Sequence, residues 1–208
     1  MKKITITFCS VLLLFACNDS ADKTLIKGTT DSSARAATPL DSATMMKNWE
    51  AYMTPGKEHQ MIAGSDGHWT GEMQMWMAPG GEPSKTTIST DNSMLLGGRY
   101  QHGYHKGNVM GQPFEGMSTL AFDNARKVYV STWIDNMGTG IMIMEGTWDE
   151  ATKTMNLKGT TTDCNTGKNT DVRETFKIVD NNKQVMEMFG VGPDGKEFKT
   201  MQINYTRK

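Results

Sequence analysis

The stretch Gly67-His68-Trp69-Thr70-Gly71-Glu72-Met73-Gln74-Met75-Trp76-Met77 is the first convincing β-strand of the chain. Side chains alternate along a strand, so the odd-numbered residues from Trp69 to Met77 share one face and the even-numbered residues from His68 to Gln74 share the other. The first face is mostly apolar and the second is polar. This pattern is typical of a strand that borders a core on one side only.

After this stretch the chain repeats strand and turn as far as its C-terminus. Turn-forming segments such as Asn165-Thr166-Gly167 and Pro193-Asp194-Gly195 separate the strand-like runs. No segment between them is long enough for a helical crossover, so neighbouring strands should pair antiparallel. A meander this long leaves two exposed edges unless it closes. The sequence therefore predicts an all-β fold, a closed antiparallel up-and-down barrel of about ten strands with an N-terminal helix, over residues 64–208. The predicted strands are 68–77, 85–96, 98–106, 108–111 with 114–122, 127–134, 140–148, 154–162, 169–179, 184–191 and 197–206.

Residues 41–63 are predicted to form the N-terminal helical segment. Asp41 or Ser42 can cap a helix in which apolar residues recur at helical spacing up to Met53. Pro55-Gly56 ends it, and a second short helical turn is expected through 57–63. We expect the helix at 41–53 to cover one end of the sheet, with binding of a partner as the alternative.

The N-terminus has the features of a bacterial export signal. Met1-Lys2-Lys3 is basic, a short apolar run follows, and Leu14-Phe15-Ala16-Cys17 resembles a lipobox. The resemblance implies cleavage after a signal peptide of residues 1–16 and lipidation of Cys17. Residues 17–40 are then a flexible tether, since small polar residues bury too little apolar area to fold. The predicted location is the bacterial cell envelope, on the periplasmic or outer-surface side, with the membrane as partner through the lipid.

The net charge argues against one class of partner, and the cysteine positions argue against a disulfide. The whole chain has a formal net charge of -1, and removal of Lys2 and Lys3 with the leader leaves 20 basic against 23 acidic residues. This balance argues against nucleic acid as a partner. Cys9 lies in the leader and Cys17 is the predicted lipidation site, so Cys164 has no partner for an intramolecular disulfide unless Cys17 is unmodified.

Two resemblances bear on the fold. Gly67-x-Trp69 resembles the first-strand motif of the lipocalin and fatty-acid-binding superfamily, in which a basic residue of the last strand packs over the Trp. Arg207 stands at that place, so Trp69 and Arg207 are expected to close the barrel. Segments including Gly97-Gly98-Arg99, Trp133-Ile134-Asp135-Asn136-Met137 and Tyr205-Thr206-Arg207 look like the domain-of-unknown-function 1579 family. That family is bacterial and often lipoprotein-like, and it has no established activity, so it implies no catalytic residues.

Methionine pairs recur on single strand faces. Met73 with Met75, Met142 with Met144, and Met186 with Met188 are each two residues apart. Thioethers can bind Cu(I), but they also fill irregular apolar interiors. No His or Cys lies within these runs, so we interpret the pairs, with Met77, as the wall of a cavity and predict no metal and no cofactor. Copper is the alternative.

Histidines and nucleophiles give no catalytic pattern. His102 and His105 are three apart, so a regular strand places them on opposite faces and they cannot share an ion. We expect surface or rim histidines rather than a haem or zinc site. The sequence also lacks the Gly-x-Ser-x-Gly motif of covalent catalysis.

Several charged or aromatic residues interrupt apolar surroundings and are candidates for the cavity. We select Arg99, Glu115, Trp133 and Asp135, with Arg99 paired to one of the carboxylates if they face inward. Of the neighbours Arg173 and Glu174 only one can point inward, and solvent exposure is the simpler expectation.

These patterns favour a non-enzymatic envelope lipoprotein that binds a small, largely apolar ligand in the barrel. Two alternatives stay open: a structural or interaction lipoprotein that binds an envelope protein partner, and an enzyme acting at the barrel mouth. The ligand cavity is predicted at Met73, Met75, Arg99, Glu115, Trp133, Asp135, Met142 and Met144.

Overall fold

The computed structural model describes residues 40–208. The predicted signal peptide, Cys17 and the tether as far as Pro39 lie outside the described residues. Two helices come first, α1 (Ser42–Met53) and α2 (Lys57–Ala63). The ten strands that follow are β1 (Gly67–Met75), β2 (Ser84–Leu95), β3 (Tyr100–Val109), β4 (Gln112–Asp123), β5 (Val128–Asp135), β6 (Met142–Asp149), β7 (Thr154–Thr162), β8 (Asn169–Asp180), β9 (Lys183–Val191) and β10 (Glu197–Arg207).

The strands form a closed up-and-down barrel, which confirms the predicted fold. Every strand pairs antiparallel with its neighbours in sequence, and β1 pairs with both β2 and β10. The predicted boundaries were wrong around Met110-Gly111, where both residues have positive φ and form a tight hairpin turn. The prediction that Met77 belongs to the cavity wall was also wrong. Met77 lies beyond the end of β1 and is 74% exposed, so it is not part of the wall.

The seam between the first and last strands is held by Trp69 and Arg207. These residues are paired in register, and the Arg207 guanidinium lies 4.2 Å from the centre of the Trp69 ring. Arg207 also donates hydrogen bonds to the carbonyls of Gly64, Asp66 and Asn181. Gly67 has a φ of 113°, and a side chain there would begin 3.1 Å from the guanidinium. Glycine is therefore required at this position for both backbone and space.

The short helix α2 and the segment 64–66 close the end of the barrel next to this seam. Ile62 is 1% exposed and belongs to the core. Ser65 is fixed from three strands. Its carbonyl accepts from the indole N–H of Trp69 at 2.9 Å and from the Asn92 amide at 3.1 Å, and its hydroxyl accepts from the Gln184 amide at 2.7 Å. These hydrogen bonds satisfy polar groups that would be costly to bury alone.

The prediction that the helix at 41–53 covers the barrel end was wrong. α1 buries none of its side chains, because α2 and the segment 64–66 already fill that end. It is held at its C-terminus, where the Asn124 amide donates to the carbonyls of Ala51, Tyr52 and Thr54. The apolar side chains of α1 remain exposed: Met45, Met46, Trp49, Tyr52 and Met53.

Replacement of Arg207 should weaken the whole domain. Arg207→Ala removes the contact with Trp69 and hydrogen bonds to three carbonyls, and we expect a loss of about 3 kcal/mol in the free energy of unfolding. Urea denaturation measures it. The matched control is Arg126→Ala, since Arg126 pairs only with Glu145 in an exposed ion pair and should cost less than about 1 kcal/mol. Equal losses of unfolding free energy in the two variants would show that the contacts of Arg207 have no special role in stability.

Candidate functional site

The barrel encloses a cavity of about 910 Å³. It extends from Ile62 and Ser65 at the closed end to a mouth at the opposite end, where residues 137–141 of the β5–β6 loop and Cys164 of the β7–β8 turn line it. Cavities that bind small ligands typically have volumes of about 300–1,000 Å³ and mostly apolar walls. This one has the size and the lining of such a site.

Six of the eight residues predicted for the cavity line it in the structure. They are Met73, Met75, Trp133, Asp135, Met142 and Met144. The third methionine pair, Met186 and Met188, lines it as well. Thioether side chains are unbranched and adapt to irregular shapes, so they form a wall that can follow the outline of an apolar guest.

Arg99 and Glu115 lie outside the cavity, contrary to the prediction. Arg99 belongs to the β2–β3 turn, where its guanidinium donates to the carbonyl of Leu96 at 2.9 Å. Glu115 is exposed on the outer face of β4, because Phe114 and Gly116 take the inward positions on either side of it. No ion pair of Arg99 with Glu115 or Asp135 occurs within residues 40–208.

Asp135 lies near the mouth and its carboxylate is already occupied. One oxygen accepts from the Trp133 indole at 2.7 Å and the other from the backbone N–H of Met137 at 2.9 Å. The Trp133 ring lies 4.9 Å from the ring of His105 and stacks on Phe114 at 6.2 Å. Asp135 thus fixes the first residue of an aromatic cluster on the cavity wall.

His105 is inside the barrel, so the expectation of a surface or rim histidine was wrong for it. It is 7% exposed, and its ring nitrogens lie 2.9 Å from the Thr90 hydroxyl and 3.2 Å from the Ser118 hydroxyl. Burial, with a smaller effect of His102, lowers its pKa to about 4. The ring is therefore neutral at pH 7. His59 is also buried, in α2, where its Nδ1 accepts from the backbone N–H of Gly56.

Glu174 is the functional candidate that sequence reasoning missed. It lines the cavity midway along β8, between Leu157 of β7 and Met188 of β9 in register. Its carboxyl makes no hydrogen bond and no ion pair with any group of residues 40–208. Burial in these apolar surroundings raises its pKa to about 7. The carboxyl is thus close to half-ionised at neutral pH.

A signal for Glu174 was present in the sequence. Side chains two residues apart lie on the same face of a strand, so Glu174 shares a face of β8 with the apolar residues Val172, Phe176 and Ile178. Arg173 and Lys177 lie on the other face. The structure places Arg173 outside, where it donates two hydrogen bonds to Glu197 and lies 3.8 Å from the Phe189 ring. Extending the alternation over the whole strand would have placed Glu174 inside.

The described part of the chain holds neither a metal-binding cluster nor a membrane-spanning helix. Residues 40–208 contain no group of three His, Cys, Asp or Glu side chains arranged to hold a metal ion. Within the same residues, neither helix has the length and apolar character needed to cross a bilayer.

Comparison with protein families assigns the chain. A family model described as "Protein of unknown function (DUF1579)" matches residues 54–207. The chain belongs to the DUF1579 family. The match confirms the family resemblance seen in the sequence, and it covers α2 and every strand of the barrel. It brings no known activity.

Solved structures show the same fold in a distant protein. The DUF1579 chain is similar to the crystal structure of Rv2717c from M. tuberculosis, with a TM-score of 0.57 at 13% sequence identity. The similarity covers 74% of this chain and 99% of that one. At this identity the likeness supports the barrel fold alone. A comparison with curated proteins gave no significant match.

Proposed function

We propose that this DUF1579 protein is a non-enzymatic binding module that holds a small, largely apolar ligand inside its barrel. The observation that carries the proposal is the cavity of about 910 Å³, which has methionine and aromatic walls and a mouth at one end. A solidly packed barrel would be more stable, because each empty volume forfeits packing contacts. An open interior of this size is therefore explained best by a guest.

The same proposal includes the location of the protein. The leader with its lipobox-like Leu14-Phe15-Ala16-Cys17 supports export and anchoring through lipidated Cys17. In this arrangement the binding barrel is held at the cell envelope, on the periplasmic or outer-surface side.

Filling the cavity should abolish binding. Ser131 lines the cavity from β5, and its neighbour Thr132 points to the outer face. We expect Ser131→Trp to weaken binding of the uncharged fluorescent probe N-phenyl-1-naphthylamine at least tenfold, and Thr132→Trp to leave it unchanged. Probe fluorescence titration measures both affinities. If wild-type protein does not bind the probe, or the two variants bind it equally well, the cavity is not the binding site.

The exposed apolar face of α1 supports a second role, contact with the membrane surface. Trp49 and Tyr52 lie on this face, and such residues favour the interface between water and lipid. Lys47 and Glu50 are the charged residues of α1, so the helix has no net side-chain charge that an anionic bilayer would repel. Lipidated Cys17 would precede the first residue of α1 by about 25 residues in the sequence. Because Asn124 holds α1 at the closed end, such contact leaves the mouth free.

Vesicle flotation of full-length chains tests the lipid and the helix together. Protein purified from bacterial membranes should float completely, and Cys17→Ser should float only in part. Adding Met46→Ser and Trp49→Ser to Cys17→Ser should lower flotation about tenfold, since both side chains would leave the lipid. Adding Met77→Ser and Met110→Ser to Cys17→Ser instead should leave flotation unchanged, because Met77 and Met110 are exposed but lie outside α1. Unchanged flotation of Cys17→Ser would contradict lipid anchoring. Equal flotation of the two triple variants would favour a protein partner for α1.

A further inference from the structure

We propose that Glu174 makes the cavity selective for ligands that combine an apolar body with a positively charged amine. The inference rests on the proposed binding function and names the chemical class of the ligand. The Glu174 carboxyl is placed on an otherwise apolar stretch of the cavity wall.

The surroundings of Glu174 supply no partner for its charge. The inward neighbours in register are Leu157 and Met188, and the inward neighbours along β8 are Val172 and Phe176. None of these side chains can donate a hydrogen bond. Glu174 is half-buried, and a carboxyl that loses water in an apolar wall without gaining a partner costs free energy. A ligand that donates to the carboxylate would turn the cost into affinity.

The other polar groups of the wall cannot substitute for Glu174 as a cation acceptor. Asp135 is occupied by Trp133 and by the backbone of Met137, and it lies near the mouth. His105 is neutral and bonded to Thr90 and Ser118. Among the described residues that line the cavity there is no Lys or Arg. Within residues 40–208, the interior thus offers a negative group to a guest and no positive one.

This charge pattern decides between ligand classes. A fatty acid or other anion would place its charge beside Glu174 with no cation to receive it, so an anionic head group is disfavoured. A neutral alcohol can bind by its apolar chain and donate one hydrogen bond. An alkylammonium adds charge attraction and a charge-assisted hydrogen bond, which is stronger than a hydrogen bond between neutral groups.

The pH dependence of binding follows from the groups that face Glu174. Leu157, Met188, Val172 and Phe176 do not titrate. Tyr205 lines the same cavity from β10, and burial together with the Glu174 charge raises the pKa of that phenol, so it stays neutral. Glu174 itself ionises around pH 7 in the empty protein. Because the ammonium binds the carboxylate form, amine affinity should rise about tenfold from pH 6 to pH 8.

Calorimetric titration of the full chain carrying Cys17→Ser, which has no lipid to compete, tests the inference. The probes are octylamine, octanol and octanoate, which share one chain length. We expect octylamine to bind at least tenfold more tightly than octanol at pH 8, and octanoate most weakly. Glu174→Gln should reduce the affinity for octylamine to that for octanol and remove the pH dependence. Glu72→Gln, on the exposed outer face of β1, should change nothing.

The outcomes separate this inference from the proposed function. Binding of octanol by Glu174→Gln shows that the variant is folded and its cavity is open. If octanol binds but octylamine binds no more tightly, or if Glu174→Gln keeps the preference for the amine, the inference is wrong and the binding function stands. If none of the three probes binds wild-type protein, both are wrong.

Discussion

The contact between Trp69 and Arg207 is the interaction on which the rest of the structure depends. It lies at one end of the seam at which the first strand pairs with the last, and without that seam the sheet has two open edges. The same two side chains also hold the segment that closes the barrel end, Arg207 through the carbonyls of Gly64 and Asp66 and Trp69 through Ser65. The same two side chains therefore stabilise both the closed sheet and the closed end of the barrel.

Once the barrel is closed, strand alternation decides what the interior contains. Every second residue must point inward, so a methionine-rich face becomes a methionine-rich wall, and a single glutamate on an apolar face becomes an internal carboxyl. Trp133, His105 and Glu174 face the same enclosed space although they come from separate strands. The proposed function uses this space, and the inferred selectivity uses its one unpartnered charge among the described residues.

Most of the fold could be predicted from the sequence because its determinants are local. Turn residues and alternation are read within a few positions, and they predicted the ten strands and the seam. The error over the helix that closes the barrel end arose because the answer depends on distant parts of the chain. The choice of α2 over α1 as the closing element depends on hydrogen bonds from Gln101 and Gln184, far along the chain. Arg99 and Glu115 were selected by residue type, whereas alternation in β4 already excluded Glu115 from the interior.

The central claim is that the barrel holds a small ligand. Native mass spectrometry of the protein purified from its own host tests it most directly, with the denatured protein as the reference mass. We expect the native protein to carry additional mass in one-to-one ratio, released on denaturation as a small amphiphile, and the denatured chain to begin at acylated Cys17. Equal native and denatured masses would contradict the claim.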